Sequence, residues 1–114
     1  MGDFIPAHQA VLDTILLGRD GVHAGKMFGY PAYYAGKRLC VCLYDEGVAI
    51  KLPAASAQRL LDRDANAIPF RPMGQRAMRE WVQINLRRSS GYRKYAHVFD
   101  ESVRYVTSIE KANR

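Results

Sequence analysis

The stretch KMFGYPAYYAGKRLCVCLYDEGVAIKL, residues 26–52, decides the fold. KMFGYPAYY is rich in aromatic side chains, and LCVCLYD is apolar at odd and even positions alike; such segments form strands, the second covered on both faces. Asp45, Glu46 and Gly47 then make a hairpin turn into VAIKL. The run apolar on both sides predicts a central strand, and the strands beside it should each have a wetter face. Pro31 belongs at a bend or an edge, because it cannot donate to a ladder.

Outward from this block the period changes. Phe4, Ala7, Val11, Leu12, Ile15 and Leu16 recur at three- and four-residue spacing, which predicts an opening helix with Asp3 as its cap and Pro6 in its first turn. Gly18 and Gly21 end it, and a loop through His23 and Gly25 leads to the strands. Residues 53–63 read as a second helix, with Ala57, Leu60 and Leu61 inward. Ile68-Pro69-Phe70 is a short strand at most, and RPMGQRAMR after it is irregular. Residues 80–86 alternate, which sets Trp81 on one face and Val82, Ile84 and Leu86 on the other. Val98, Phe99, Ser102, Val103, Val106 and Ile109 mark a last helix. The expectation is an α+β fold: a mainly antiparallel sheet of four to five strands with helices mostly on one face, in the order α-β-β-β-α-β-β-α.

A chain of 114 residues suits one domain, residues 1–114, with enough core to need neither a disulfide nor a structural metal. Its longest apolar run is the six residues from Leu39 to Tyr44, against the roughly 20 that a membrane-spanning helix needs, and its start lacks the pattern of a secretory signal. Cys40 and Cys42, two apart on a strand, should share a face yet bridge poorly, so they read as reduced thiols of a cytoplasmic protein.

The net charge of +6 is unevenly placed. Residues 1–70 carry seven basic and seven acidic side chains, and residues 95–114 three of each. Residues 71–94 hold Arg71, Arg76, Arg79, Arg87, Arg88, Arg93 and Lys94 against Glu80 alone, so the whole excess lies there. Charge so concentrated points to an anionic partner or to plain solubility.

Met27-Phe28-Gly29, Tyr33, Gly36-Lys37 and Ile50-Lys51-Leu52, followed by Pro69-Phe70, Met78 and Trp81, resemble the N-terminal domain of TfoX-like proteins of bacterial competence regulation. The similarity runs from about the first helix to the last. It departs at Tyr30-Pro31-Ala32, where that family more often has further glycines. The resemblance implies a small α+β domain of the kind shared with YjbR-like and secretion-chaperone-like proteins, some of them dimers; it implies no catalytic residues.

Three functional readings follow. In the first, Arg87, Arg88, Arg93 and Lys94, with Arg76 and Arg79 as outer members, bind nucleic acid or another polyanion, helped by the amides at the start of the last helix. Against it, the helix can begin nearer Ala96 and leave these residues in a solvated loop. In the second, Phe28, Tyr30, Tyr33 and Tyr34 form a protein-interaction or homodimer surface, unless they are ordinary core and edge residues. In the third, Cys40 or Cys42 acts with His8, His23 or His97; a lone Cys-x-Cys falls short of zinc spacing, and no cofactor or metal is expected. P-loop, dinucleotide-binding, GxSxG and HExxH patterns do not occur. The sequence therefore favours a regulatory binding role without catalysis.

Overall fold

The computed structural model describes residues 3–113; Met1, Gly2 and Arg114 lie outside them. Helix α1 (Pro6–Leu16) is followed by strands β1 (Val22–Met27), β2 (Tyr30–Ala35), β3 (Arg38–Tyr44) and β4 (Gly47–Lys51), then α2 (Ala54–Arg63) and β5 (Ala67–Pro69). A 3₁₀ turn at Pro72–Gly74 leads to β6 (Trp81–Ile84), and a 3₁₀ segment at Ser89–Tyr95 leads to α3 (Ala96–Ala112). The six strands form one antiparallel sheet in the order β1-β2-β3-β4-β6-β5.

All three helices pack on one face. Leu12 and Leu16 from α1, Ala57 from α2, and Val98, Phe99 and Val106 from α3 join Val41, Leu43, Val48, Ile50, Val82 and Ile84 of the sheet in one core. Among the described residues the opposite face has no α-helix packed on it. There Ala32, Cys42, Ala49, Phe70 and Trp81 form a smaller cluster beneath the chain that runs from Phe70 to Trp81. The alternation read in residues 80–86 holds: Trp81 faces one way, Val82 and Ile84 the other.

Several expectations need correction. The sheet has six strands, because β1 occupies the segment expected to be a loop through His23 and Gly25. That strand is exposed at His23, Ala24, Gly25 and Lys26 and has no apolar alternation; it is held by its ladder to β2. The aromatic run is also two pieces, split by a hairpin turn at Phe28 (φ +50°) and Gly29 (φ +87°), both in the left-handed region that tight hairpins require. Pro31 lies within β2, not at an edge, but the ladder from β2 to β3 begins only at Ala32, one residue later. Strands β2 and β4 are as buried as β3, so neither has the wetter face expected of it. Asp3 does not cap α1, because Pro6 takes the first helical position and Ile5 the position before it.

The two cysteines do not share a face. Tyr33 pairs with Val41 and Tyr34 with Leu39, which leaves Cys40 as the extra residue of a β-bulge in β3. The bulge resets the alternation, so Cys40 joins the helix-side core and Cys42 the opposite cluster. Two hydrogen bonds hold Cys40 in place. The Cys40 thiol donates to the Tyr33 carbonyl at 3.3 Å, and the Ser102 hydroxyl of α3 donates to the Cys40 carbonyl at 3.0 Å.

His8 ties α1 to the 3₁₀ segment before α3. It is fully buried, with Nδ1 2.6 Å from the Ser89 hydroxyl and Nε2 3.2 Å from the Glu46 carbonyl. A carbonyl only accepts, so Nε2 carries the proton and Nδ1 accepts from Ser89 in the neutral ring. Burial lowers the pKa of His8 below 6.5, against the smaller opposing pull of the Glu46 and Leu86 carbonyls. The unfolded chain therefore takes up this proton at higher pH than the folded one, and stability falls as pH drops below about 6.5. Urea unfolding from pH 7.5 down to 5 is expected to show that fall, and His8→Gln to flatten it.

Candidate functional site

All seven cations of residues 71–94 are exposed, and among the described residues none stands within 4.0 Å of a carboxylate. Glu80, the lone acid of that segment, is taken by partners from elsewhere: Lys51 at 3.7 Å and the Tyr105 hydroxyl at 2.9 Å. The fold divides these cations between its two layers. Arg71, Arg76 and Arg79 ride on the chain covering the helix-free face, next to Phe70 and Met78. Arg88, Arg93 and Lys94 flank Tyr92, which is buried in the helix-side core.

The segment around Tyr92 is firmly held. Its hydroxyl donates to the Ile84 carbonyl at 2.7 Å, its ring meets His8 edge-on at 4.8 Å, and Ser89 bonds His8. Helix α3 starts at Ala96, the later of the two starts considered, so Arg93 and Lys94 precede it and are not in its first turn. Arg87 opens on a small pocket with Glu46 and Asn85, and Arg71 on a larger one of about 770 Å³ with Asp3, Asp45 and Glu46. Carboxylates thus share the surroundings of those two arginines.

Of the four aromatic residues expected at an interaction surface, the structure leaves one free. Tyr33 is 1% exposed; it sits in the helix-side core and donates to Asp13 at 2.5 Å. Tyr30 is buried against Tyr44, with ring centroids 4.8 Å apart. Tyr34 is half-buried, stacked on His23 and lying over Gly25, and its hydroxyl donates to the Lys26 carbonyl at 2.9 Å. Phe28 alone projects, at 75% exposure.

Phe28 leads to the feature that the sequence did not single out. Five large apolar side chains of the described residues are exposed: Leu17, Phe28, Ile68, Met73 and Met78. Three of them, Phe28, Met73 and Met78, line one cleft of about 370 Å³ on the helix-free face, where Leu39, Phe70 and Trp81 also contribute. Phe28 (φ +50°) and Met73 (φ +55°) both hold the left-handed backbone conformation. For a side chain without a local hydrogen bond this costs about 1–2 kcal/mol per residue. Two strained, apolar, outward-pointing residues meeting at one cleft is the kind of outlier that marks a functional surface.

The chain over the cleft is fixed from below. Phe70 sits 5.3 Å from the Tyr44 ring and 5.4 Å from Trp81, over the small side chains Cys42 and Ala49. The Met73 amide donates to the Tyr44 hydroxyl at 2.6 Å, and the Met78 amide to the Phe70 carbonyl at 3.1 Å. Lys51 lies 5.9 Å from the Trp81 ring centroid, within cation–π range.

Cys40 lies in the helix-side core and Cys42 beneath Phe70, and both are fully buried. Burial pushes the thiols of Cys40 and Cys42 up to about 12, so the nucleophilic thiolate is disfavoured at neutral pH. No group of three or more His, Cys, Asp or Glu side chains among the described residues is placed to hold a metal ion. No helix among them is long and apolar enough to cross a membrane. Comparison with protein-family models, with curated proteins and with solved structures finds no match.

The cleft separates residues that hold the fold from residues free to act. Phe70→Ala is expected to cost about 3–5 kcal/mol in urea unfolding, as truncating a buried aromatic does. Phe28→Asn should stay within about 0.5 kcal/mol of the parent or exceed it, because asparagine tolerates the left-handed conformation.

Proposed function

We propose that this protein is a non-catalytic, regulatory binding module that takes a segment of another protein into the cleft on its helix-free sheet face. The convergence of Phe28, Met73 and Met78, all exposed and two of them on strained backbone, carries the reading. An exposed apolar cluster costs solubility in a free monomer and becomes favourable once a partner covers it. Methionine suits the task, since its unbranched thioether repacks around different side chains. The resemblance to TfoX-like N-terminal domains belongs to the same proposal: Met27, Phe28, Phe70, Met78 and Trp81, which carry part of it, all line this cleft. Peptides selected from a random display library against the parent protein should lose about tenfold or more in affinity for Phe28→Asn, the effect of removing one apolar anchor. Failure to recover any peptide sensitive to that substitution would count against the cleft.

A second reading is supported by Arg88, Arg93 and Lys94, exposed on a firmly held segment and, among the described residues, without a carboxylate within 4.0 Å. Such a cluster suits a nucleic acid or another polyanion. It entails retention on heparin that weakens steeply with salt, and a lower eluting salt concentration for the double charge reversal Arg88→Glu and Arg93→Glu.

A further inference from the structure

We infer that the occupant of the cleft is an acidic, amphipathic segment of a different protein, with its apolar side chains among Phe28, Met73 and Met78 and its carboxylates on Arg76 and Arg79. This rests on the cleft being the recognition surface, and it adds the chemistry of the partner. Between Arg71 and Arg79 the chain has three arginines and no acid. Arg76 lies between Met73 and Met78 in sequence, and Arg79 follows Met78 directly; both are exposed. Arg79 lines a neighbouring pocket that shares Met78 and Trp81 with the cleft, so it stands on the far side of those two apolar residues. Glu80, next to Arg79 in the chain, is engaged by Lys51 and Tyr105, and among the described residues neither Arg76 nor Arg79 has a carboxylate within 4.0 Å. A ligand that fills the cleft and meets its margin must therefore be apolar at its centre and negative at its rim.

The same charges argue against the other occupants. A second copy docked through this face by a two-fold axis would bring Arg76 and Arg79 of each chain toward those of the other, a like-charge contact. A nucleic acid would satisfy the arginines but would leave Phe28, Met73 and Met78 without apolar partners, since such interfaces are predominantly polar.

The test uses labelled probe peptides of one length that carry Leu and Phe on one helical face and either Glu or Gln on the other. Anisotropy gives the affinities, and NMR follows the Met73 and Met78 methyl groups and the Trp81 indole. The Glu peptide should bind about tenfold tighter than the Gln peptide in low salt, shift those three signals, and lose that preference in the double variant Arg76→Gln and Arg79→Gln. Equal affinity for the two peptides, with the same shifts, overturns the acidic partner and leaves the cleft intact. Absence of shifts with either peptide overturns both. Duplex DNA that moves the three signals and displaces the Glu peptide would replace the proposal with a nucleic-acid site. A concentration-dependent dimer in sedimentation that Phe28→Asn abolishes would replace it with self-association.

Discussion

A sheet built of strands apolar on both sides has two faces to keep from water, and this chain places all three helices on one of them. The other face depends on the eleven residues from Phe70 to Glu80 and on what they bring with them. Phe70 and Trp81 bracket that stretch and are buried side by side over Cys42 and Ala49, with Tyr44 against Phe70, so a small aromatic cluster does the sealing that helices perform opposite. Small side chains beneath make this feasible; a bulkier residue at Ala49 would lift Phe70 away from the sheet. A short irregular chain cannot cover what a helix covers, and the shortfall appears as the cleft beside Met27 and Leu39.

The bulge at Cys40 links the two layers. It places one cysteine thiol under the helices and the other under the covering chain, and it hands the freed carbonyl to Ser102 on α3. Strand β3 is thereby fixed to α3 by a buried hydrogen bond as well as by packing. The same strand carries Tyr44, whose hydroxyl receives the Met73 amide. One strand therefore positions a helix on one side and the covering chain on the other.

Helices and central strands were legible in the sequence because burial leaves a period there: Leu12 and Leu16 in α1, Val98 to Val106 in α3, and Trp81 against Val82 and Ile84 in β6. Strand β1 was not, since an edge strand with a wet surface needs no apolar alternation and is specified by hydrogen bonds to its neighbour. Strand alternation alone puts the two cysteines on one face, because a bulge is a single-residue departure that leaves no mark on an otherwise regular period. The candidate site was only half visible. Phe28 and the unbalanced arginines could be read directly, whereas Tyr33 and Tyr34 look alike in sequence and end on opposite faces. Met73 and Met78 were hidden in a segment with no period at all. Their signal was compositional: two methionines and three arginines in nine residues, without one acid.

Conformation and charge along that segment lead to the same place. If its only task were to cover the sheet, its apolar side chains would point inward, and glycine would take the left-handed positions at no steric cost. Gly74 does take one, but Met73 beside it takes another and exposes its side chain, as Phe28 does across the cleft. Arg76 and Arg79 raise the electrostatic cost of the free state further, since among the described residues no carboxylate stands within 4.0 Å of either. Strain, exposed apolar surface and positive charge each disfavour the isolated protein, and the proposed ligand, apolar at its core and anionic at its margin, would relieve the last two while giving the strained side chains something to hold.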